Sequence, residues 1–157
     1  MSERRIVLER GDGSERALAT NVEIADSMLS QATGLMGRAE LPEGYALVLE
    51  VGEGLFGPSR QVVHMLFVRT PLTVVWVEDE TVVQVRTLQP WTGRASARAD
   101  TLIELAAGEA AGVKPGDTVR LVDEGETTGS GESGETAGPA EDSETAGSAG
   151  DGADPTV

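Results

Sequence analysis

The sequence predicts a mainly β protein: a compact antiparallel β-sandwich or barrel-like domain with one short α-helix over residues 1–122, then a disordered acidic tail over residues 123–157. Three observations lead there. Short runs rich in Val, Ile, Leu and aromatic residues recur between Gly, Pro and Asp signals, at the length and spacing of strands and turns. Only the stretch from Met28 to Met36 places its apolar residues at helical spacing. From Asp123 onward there is no Lys, Arg or aromatic residue, while ten of the chain's 27 carboxylates gather there.

Taken in order, Ile6-Val7-Leu8-Glu9 reads as a strand, and Gly11-Asp12-Gly13 as the turn that folds it onto a second strand from Ala17 to Ile24. Asp26 or Ser27 stands where a helix N-cap belongs. Met28, Leu29, Ala32, Leu35 and Met36 then mark one helical face, and Gly37 closes it. Ala46 to Val51 is the next strand. The centre of the chain is Val62 to Val77, two nearly unbroken apolar runs on either side of Thr70-Pro71, which is how strands buried on both faces read. Glu78-Asp79-Glu80 turns the chain into a strand from Thr81 to Leu88, and Pro90-Trp91-Thr92-Gly93 breaks it. Leu102 to Leu105 and Thr118 to Val122 complete a set of about eight strands.

The tail cannot bury enough apolar area to offset its ordering entropy, roughly 1–2 kcal/mol per residue for the backbone alone. The whole chain carries a net charge of −15, and of its 12 basic residues only Lys114 is a lysine. This balance suggests a protein kept soluble at high salt, as in a halophilic archaeon, where screening removes the self-repulsion. It also argues against nucleic acid as a partner, since no basic footprint is present. With no cysteine, disulfides, thiolate metal sites and Cys nucleophiles are excluded. No apolar leader follows Arg4-Arg5 and no apolar run reaches membrane-spanning length, so a soluble, cytoplasmic monomer without cofactor or metal is expected.

Several segments together are informative. Gly34-Leu35-Met36-Gly37-Arg38, Leu41-Pro42, His64-Met65 before Pro71-Leu72, Ile103-Glu104-Leu105 with Gly108, and Gly112-Val113-Lys114-Pro115-Gly116-Asp117 resemble, in order and spacing, the family called domain of unknown function 192, or uncharacterised protein family 0127. The resemblance covers about Val22 to Val122 and implies a compact β-rich domain. It implies no chemistry. Family members commonly carry an aspartate directly after the Pro-Leu pair, where this chain has Thr73, so no role that needs a carboxylate there transfers.

His64 is the only histidine, and its place between Val63 and Met65 favours a buried, structural imidazole over a catalytic one. Glu104 interrupts an apolar strand; alternation turns it to solvent, or an arginine pairs with it. Met28, Met36 and Met65 read as core filling. No nucleophile elbow, phosphate loop or zinc spacing occurs. The informative anomaly is a local charge reversal. Between Leu55 and Ala99 the basic residues are Arg60, Arg69, Arg86, Arg94 and Arg98, against only Glu78, Asp79 and Glu80. Arg60, His64, Arg69, Trp91 and Arg94 are therefore the candidate ligand-binding residues, for an anionic small molecule or an acidic peptide. Binding is favoured over catalysis; the alternatives are an enzyme using His64 as acid or base, and an interaction domain with no pocket.

Overall fold

The computed structural model describes residues 4–25, 35, 39–51, 53–54 and 57–123, all within the first of two units of the chain, Met1–Thr127. Among the described residues there are eleven strands and no helix: β1 (Arg4–Glu9), β2 (Glu15–Ala19), β3 (Asn21–Ala25), β4 (Tyr45–Glu50), β5 (Glu53–Gly54), β6 (Gly57–His64), β7 (Leu72–Glu78), β8 (Thr81–Leu88), β9 (Arg94–Ala99), β10 (Thr101–Ala106) and β11 (Thr118–Asp123). They form an eight-stranded sheet in the order β2-β1-β11-β8-β7-β10-β4-β3 and a three-stranded sheet in the order β5-β6-β9. Every pairing is antiparallel except β3 on β4.

One residue decides the shape of the large sheet. Thr20 alone joins β2 to β3, yet these strands are its two opposite edges. Successive Cα atoms are only about 3.8 Å apart, so the edges must meet. The sheet is rolled, held at the seam by the chain and not by a ladder between β2 and β3. Gly44 makes the seam: its carbonyl accepts from both Thr20 N and Asn21 N at 3.0 Å. Its φ is +70°, and a Cβ there would stand 3.1 Å from Thr20 Oγ1, so glycine is the residue that fits.

The roll encloses one core, made of Ile6, Leu8, Leu18, Val48, Val75, Val82, Ile103, Leu105 and Val119. A second core lies on the outside of β4, β10 and β7, where Leu47, Leu49, Val74, Trp76 and Leu102 meet Val63 and Ala99 from the small sheet and Met65 just past β6, with Leu35 against them. Trp76 Nε1 donates to Gln61 O at 3.3 Å, tying the sheets together. Strands β4 and β7 are consequently covered on both faces, with burial running almost unbroken along each.

Several expectations change. The run from Ala17 to Ile24 is two strands, because the ladder switches edges at Thr20. The first half of the central stretch is not a strand buried on both faces: β6 ends at His64 in the small sheet and leaves Val62 47% exposed. Strand β9 goes unseen in the sequence because Arg-Ala-Ser-Ala-Arg-Ala has no β-branched or large apolar residue. The helix expected over Met28–Met36 lies, apart from Leu35, outside the described residues, as does the tail beyond Asp123. Among the described residues no helix is long and apolar enough to cross a membrane.

Candidate functional site

The two faces of the small sheet have different chemistry. On β6 and β9 the register sets Arg60 opposite Arg98, Val62 opposite Ser96 and His64 opposite Arg94. Facing residues of an antiparallel pair project to the same side, so these six side chains share one face. It points outward: Arg60, Val62, His64, Arg94 and Arg98 are exposed, while the alternate residues Val63 and Met65 are buried. Neither strand contains an Asp or Glu. Among the described residues no carboxylate pairs with any of the three arginines. Arg60 Nε and Nη2 both donate to Ser96 Oγ, at 3.1 and 2.9 Å, which lays the guanidinium along the sheet and leaves three of its five donors for a partner.

Past His64 and Arg94 the ladder continues into two turns. Met65 N donates to Gly93 O at 2.9 Å, and Trp91 N to Met65 O at 3.1 Å. A Cβ on Gly93 would lie 2.6 Å from Gln89 O, so only glycine allows this closure. The turns hold Phe67 and Trp91 edge to face, with ring centroids 6.0 Å apart at 71°, and both rings are about half exposed. Both residues adopt left-handed backbone, φ 65° and 66°, a conformation costing roughly 1–2 kcal/mol for a side-chain-bearing residue. Strain concentrated at an exposed aromatic pair is the kind of outlier that marks a working surface.

Of the sequence-selected residues, the structure thus brings Arg60, His64 and Arg94 onto one face, with Trp91 on the adjoining turn and Arg98 added by register. Arg69 is exposed on the segment between β6 and β7, outside that register. His64 is not the buried imidazole expected, because β6 has one wet face and His64 is on it.

Behind β6 lies a cavity of about 290 Å³, whose lining includes Leu49, Met65, Leu72, Leu102, His64 and Glu104. Glu104 meets neither expectation in full. It is only partly turned to solvent, because β10 runs in the middle of the large sheet; its cross-strand partners are Leu47 and Val74. Nor does an arginine pair with it, since among the described residues it has no hydrogen-bond or ion-pair partner. Burial pushes its carboxyl up to about 7. Thr73, at the position where the family commonly has an aspartate, is buried and shares a 2.9 Å hydrogen bond with Thr87 between the hydroxyls.

A rolled β-sheet flanked by a small second sheet, with a basic outer face and one partly buried carboxyl near it, defines a compact β-domain built around β6. The model of DUF192, described as "Uncharacterized ACR", matches residues 8–121, and the chain belongs to that family. Among solved structures it is similar to a proposed transcription regulator from Sinorhizobium meliloti, at 20% identity and TM-score 0.65, over 77% of this chain and 96% of that one. It is also similar to a protein of unknown function from Novosphingobium aromaticivorans, at 24% identity and TM-score 0.62, over 74% and 83%. At these identities the likeness is one of fold. No curated protein matches the chain.

Proposed function

We propose that the domain is a non-catalytic binding module whose β6–β9 face docks an acidic peptide segment. The observation that carries this reading is the cross-strand register, which lines up Arg60, Arg98, His64 and Arg94 on one carboxylate-free face of a chain whose net charge is −15. Spacing favours a segment over a small anion. Arg60 and His64 are four residues apart along β6, about 14 Å at about 3.4 Å per residue, too far for one small anion to bridge but a natural span for an extended chain with acidic side chains. The cavity behind the face holds a carboxyl and would repel an anion. Charge-assisted hydrogen bonds to Arg60 and Arg94, with Trp91 and Phe67 giving apolar contact beside them, supply affinity and direction.

Trp91 gives a direct test, because it is one of two tryptophans and the other, Trp76, is fully buried. Titration with octaglutamate is expected to change emission saturably in the wild type and not in Trp91→Phe. An unchanged spectrum together with unchanged amide shifts along β6 and β9 contradicts the reading.

A second reading has one observation in its favour: His64 and Glu104 line the same cavity, an arrangement compatible with acid–base chemistry. It would require a substrate seated there, and turnover abolished by Glu104→Gln and by His64→Gln.

A further inference from the structure

The cavity beside β6 adjoins the outer face, with Val62 and His64 on its rim, and reaches inward to Glu104. Among the described residues its walls are mostly apolar side chains from β4, β10, β6 and the segment before β7, with Gln61 and His64 the other polar groups, and one acidic group, Glu104, opens into it. We propose that this cavity binds a small hydrophobic amine, its ammonium group paired with Glu104 and its hydrocarbon part seated among Leu49, Met65, Leu72 and Leu102.

Glu104 is partly buried on β10; a carboxylate withdrawn this far from water ordinarily has a cation or several donors, and among the described residues Glu104 has neither. Among the described residues the charged groups along its row are few and distant. Along the row that crosses the sheet, Glu23 on β3 and Arg86 on β8 are each two strands away, on the order of 10 Å at about 4.8 Å per strand. Glu23 and Arg86 are both exposed, and Glu23 accepts from Tyr45 Oη at 2.6 Å. Among the described residues His64 is the one other titratable group on the cavity wall. An ammonium would supply both the missing donors and the missing charge, and apart from Gln61 and His64 the described wall offers contact for hydrocarbon. A volume of about 290 Å³ sits at the lower end of the about 300–1,000 Å³ typical of small-molecule sites, which suits a compact ligand.

Such a ligand binds the ionised carboxyl. With the carboxyl titrating at about 7, the ionised fraction rises about tenfold between pH 6 and pH 8, and so does the expected affinity. Linkage is reciprocal, so bound amine must lower the Glu104 midpoint.

The experiment is calorimetry on the full chain with hexylammonium, hexanol and hexanoate at pH 6 and pH 8, joined to carboxyl ¹³C titration of Glu104. Hexylammonium is expected to bind about tenfold more tightly at pH 8 than at pH 6 and to move the Glu104 midpoint downward. Glu104→Gln should lose more than tenfold in hexylammonium affinity at pH 8 while leaving hexanol binding in place. His64→Gln should keep the pH profile. Hexanoate binding more tightly than hexylammonium, equal hexylammonium affinity in Glu104→Gln, or an unmoved Glu104 midpoint at saturating amine would overturn the proposal. The wild-type pH profile and the ¹³C titration decide it even if Glu104→Gln does not fold.

Discussion

His64 and Arg94 are direct cross-strand partners on the outer face of the small sheet, one step before Met65 N closes onto Gly93 O. The pair sits on a rigid ladder, yet neither residue contributes to a core. Substituting either with Ala is therefore expected to change stability by less than about 0.5 kcal/mol. Val63→Ala, one residue away on the buried face, should cost about 1–3 kcal/mol. Urea midpoints of the three variants check this alternation directly.

Glu104 makes stability depend on pH. Its folded-state midpoint, about 7, lies above the ordinary 4.5 because burial disfavours the charge. The folded protein then binds the proton more tightly than the unfolded chain. The associated stability is fully present below about pH 4.5 and is lost as pH rises through 7, by on the order of 3 kcal/mol. Glu104→Gln is expected to remove that slope and to leave the protein more stable than wild type at pH 8. Chemical denaturation of both proteins at pH 5, 6, 7 and 8 measures the slope; parallel pH curves for variant and wild type would refute it.

The β7–β8 turn carries avoidable strain. Asp79 and Glu80 both have left-handed backbone, φ 48° and 62°, as a two-residue type I′ hairpin requires. Asp79 N is held by Asp100 Oδ2 at 2.8 Å, whereas Glu80 provides only its conformation and a carbonyl that accepts from Val119 N at 2.7 Å. Glu80→Gly keeps that carbonyl and should stabilise the fold by about 1 kcal/mol, read as a rise in the thermal midpoint.

Much of the fold was legible in the sequence wherever periodicity and turn chemistry agree: β1, β4, β7, β8, β10 and β11 all stand close to their expected places. The misses share one cause. A sequence pattern reports whether a residue is covered, not by what. Leu102-Ile103-Glu104-Leu105 reads as a strand with one wet position, but the small sheet covers most of that face and leaves Glu104 only partly exposed, and its strand β9 carries only small and basic residues. Nor does the sequence reveal that Thr20 switches sheet edges, since the signal is the partner Gly44, more than twenty residues away. At the site, the arginine excess was visible as composition, and register alone sorts it: Arg98 joins the face and Arg69 does not.

The carboxylate excess, −15 over the chain, predicts stability that rises with ionic strength. From about 0.1 M to 1 M salt the Debye length falls from about 10 to 3 Å, screening the repulsion between exposed acids. The thermal midpoint in NaCl and in KCl should climb over that range; a flat or falling midpoint would remove the case for adaptation to high salt.

The central claim is that the β6–β9 face reads acidic segments through its arginines. Fluorescence anisotropy of labelled octaglutamate and octalysine, titrated with wild type and with Arg60→Glu/Arg94→Glu, tests it most directly. The wild type should bind octaglutamate with an affinity that falls as salt rises, and the double variant, still folded, should lose at least tenfold of it and gain affinity for octalysine. Equal octaglutamate binding by both proteins, or none by the wild type at low salt, would contradict the account.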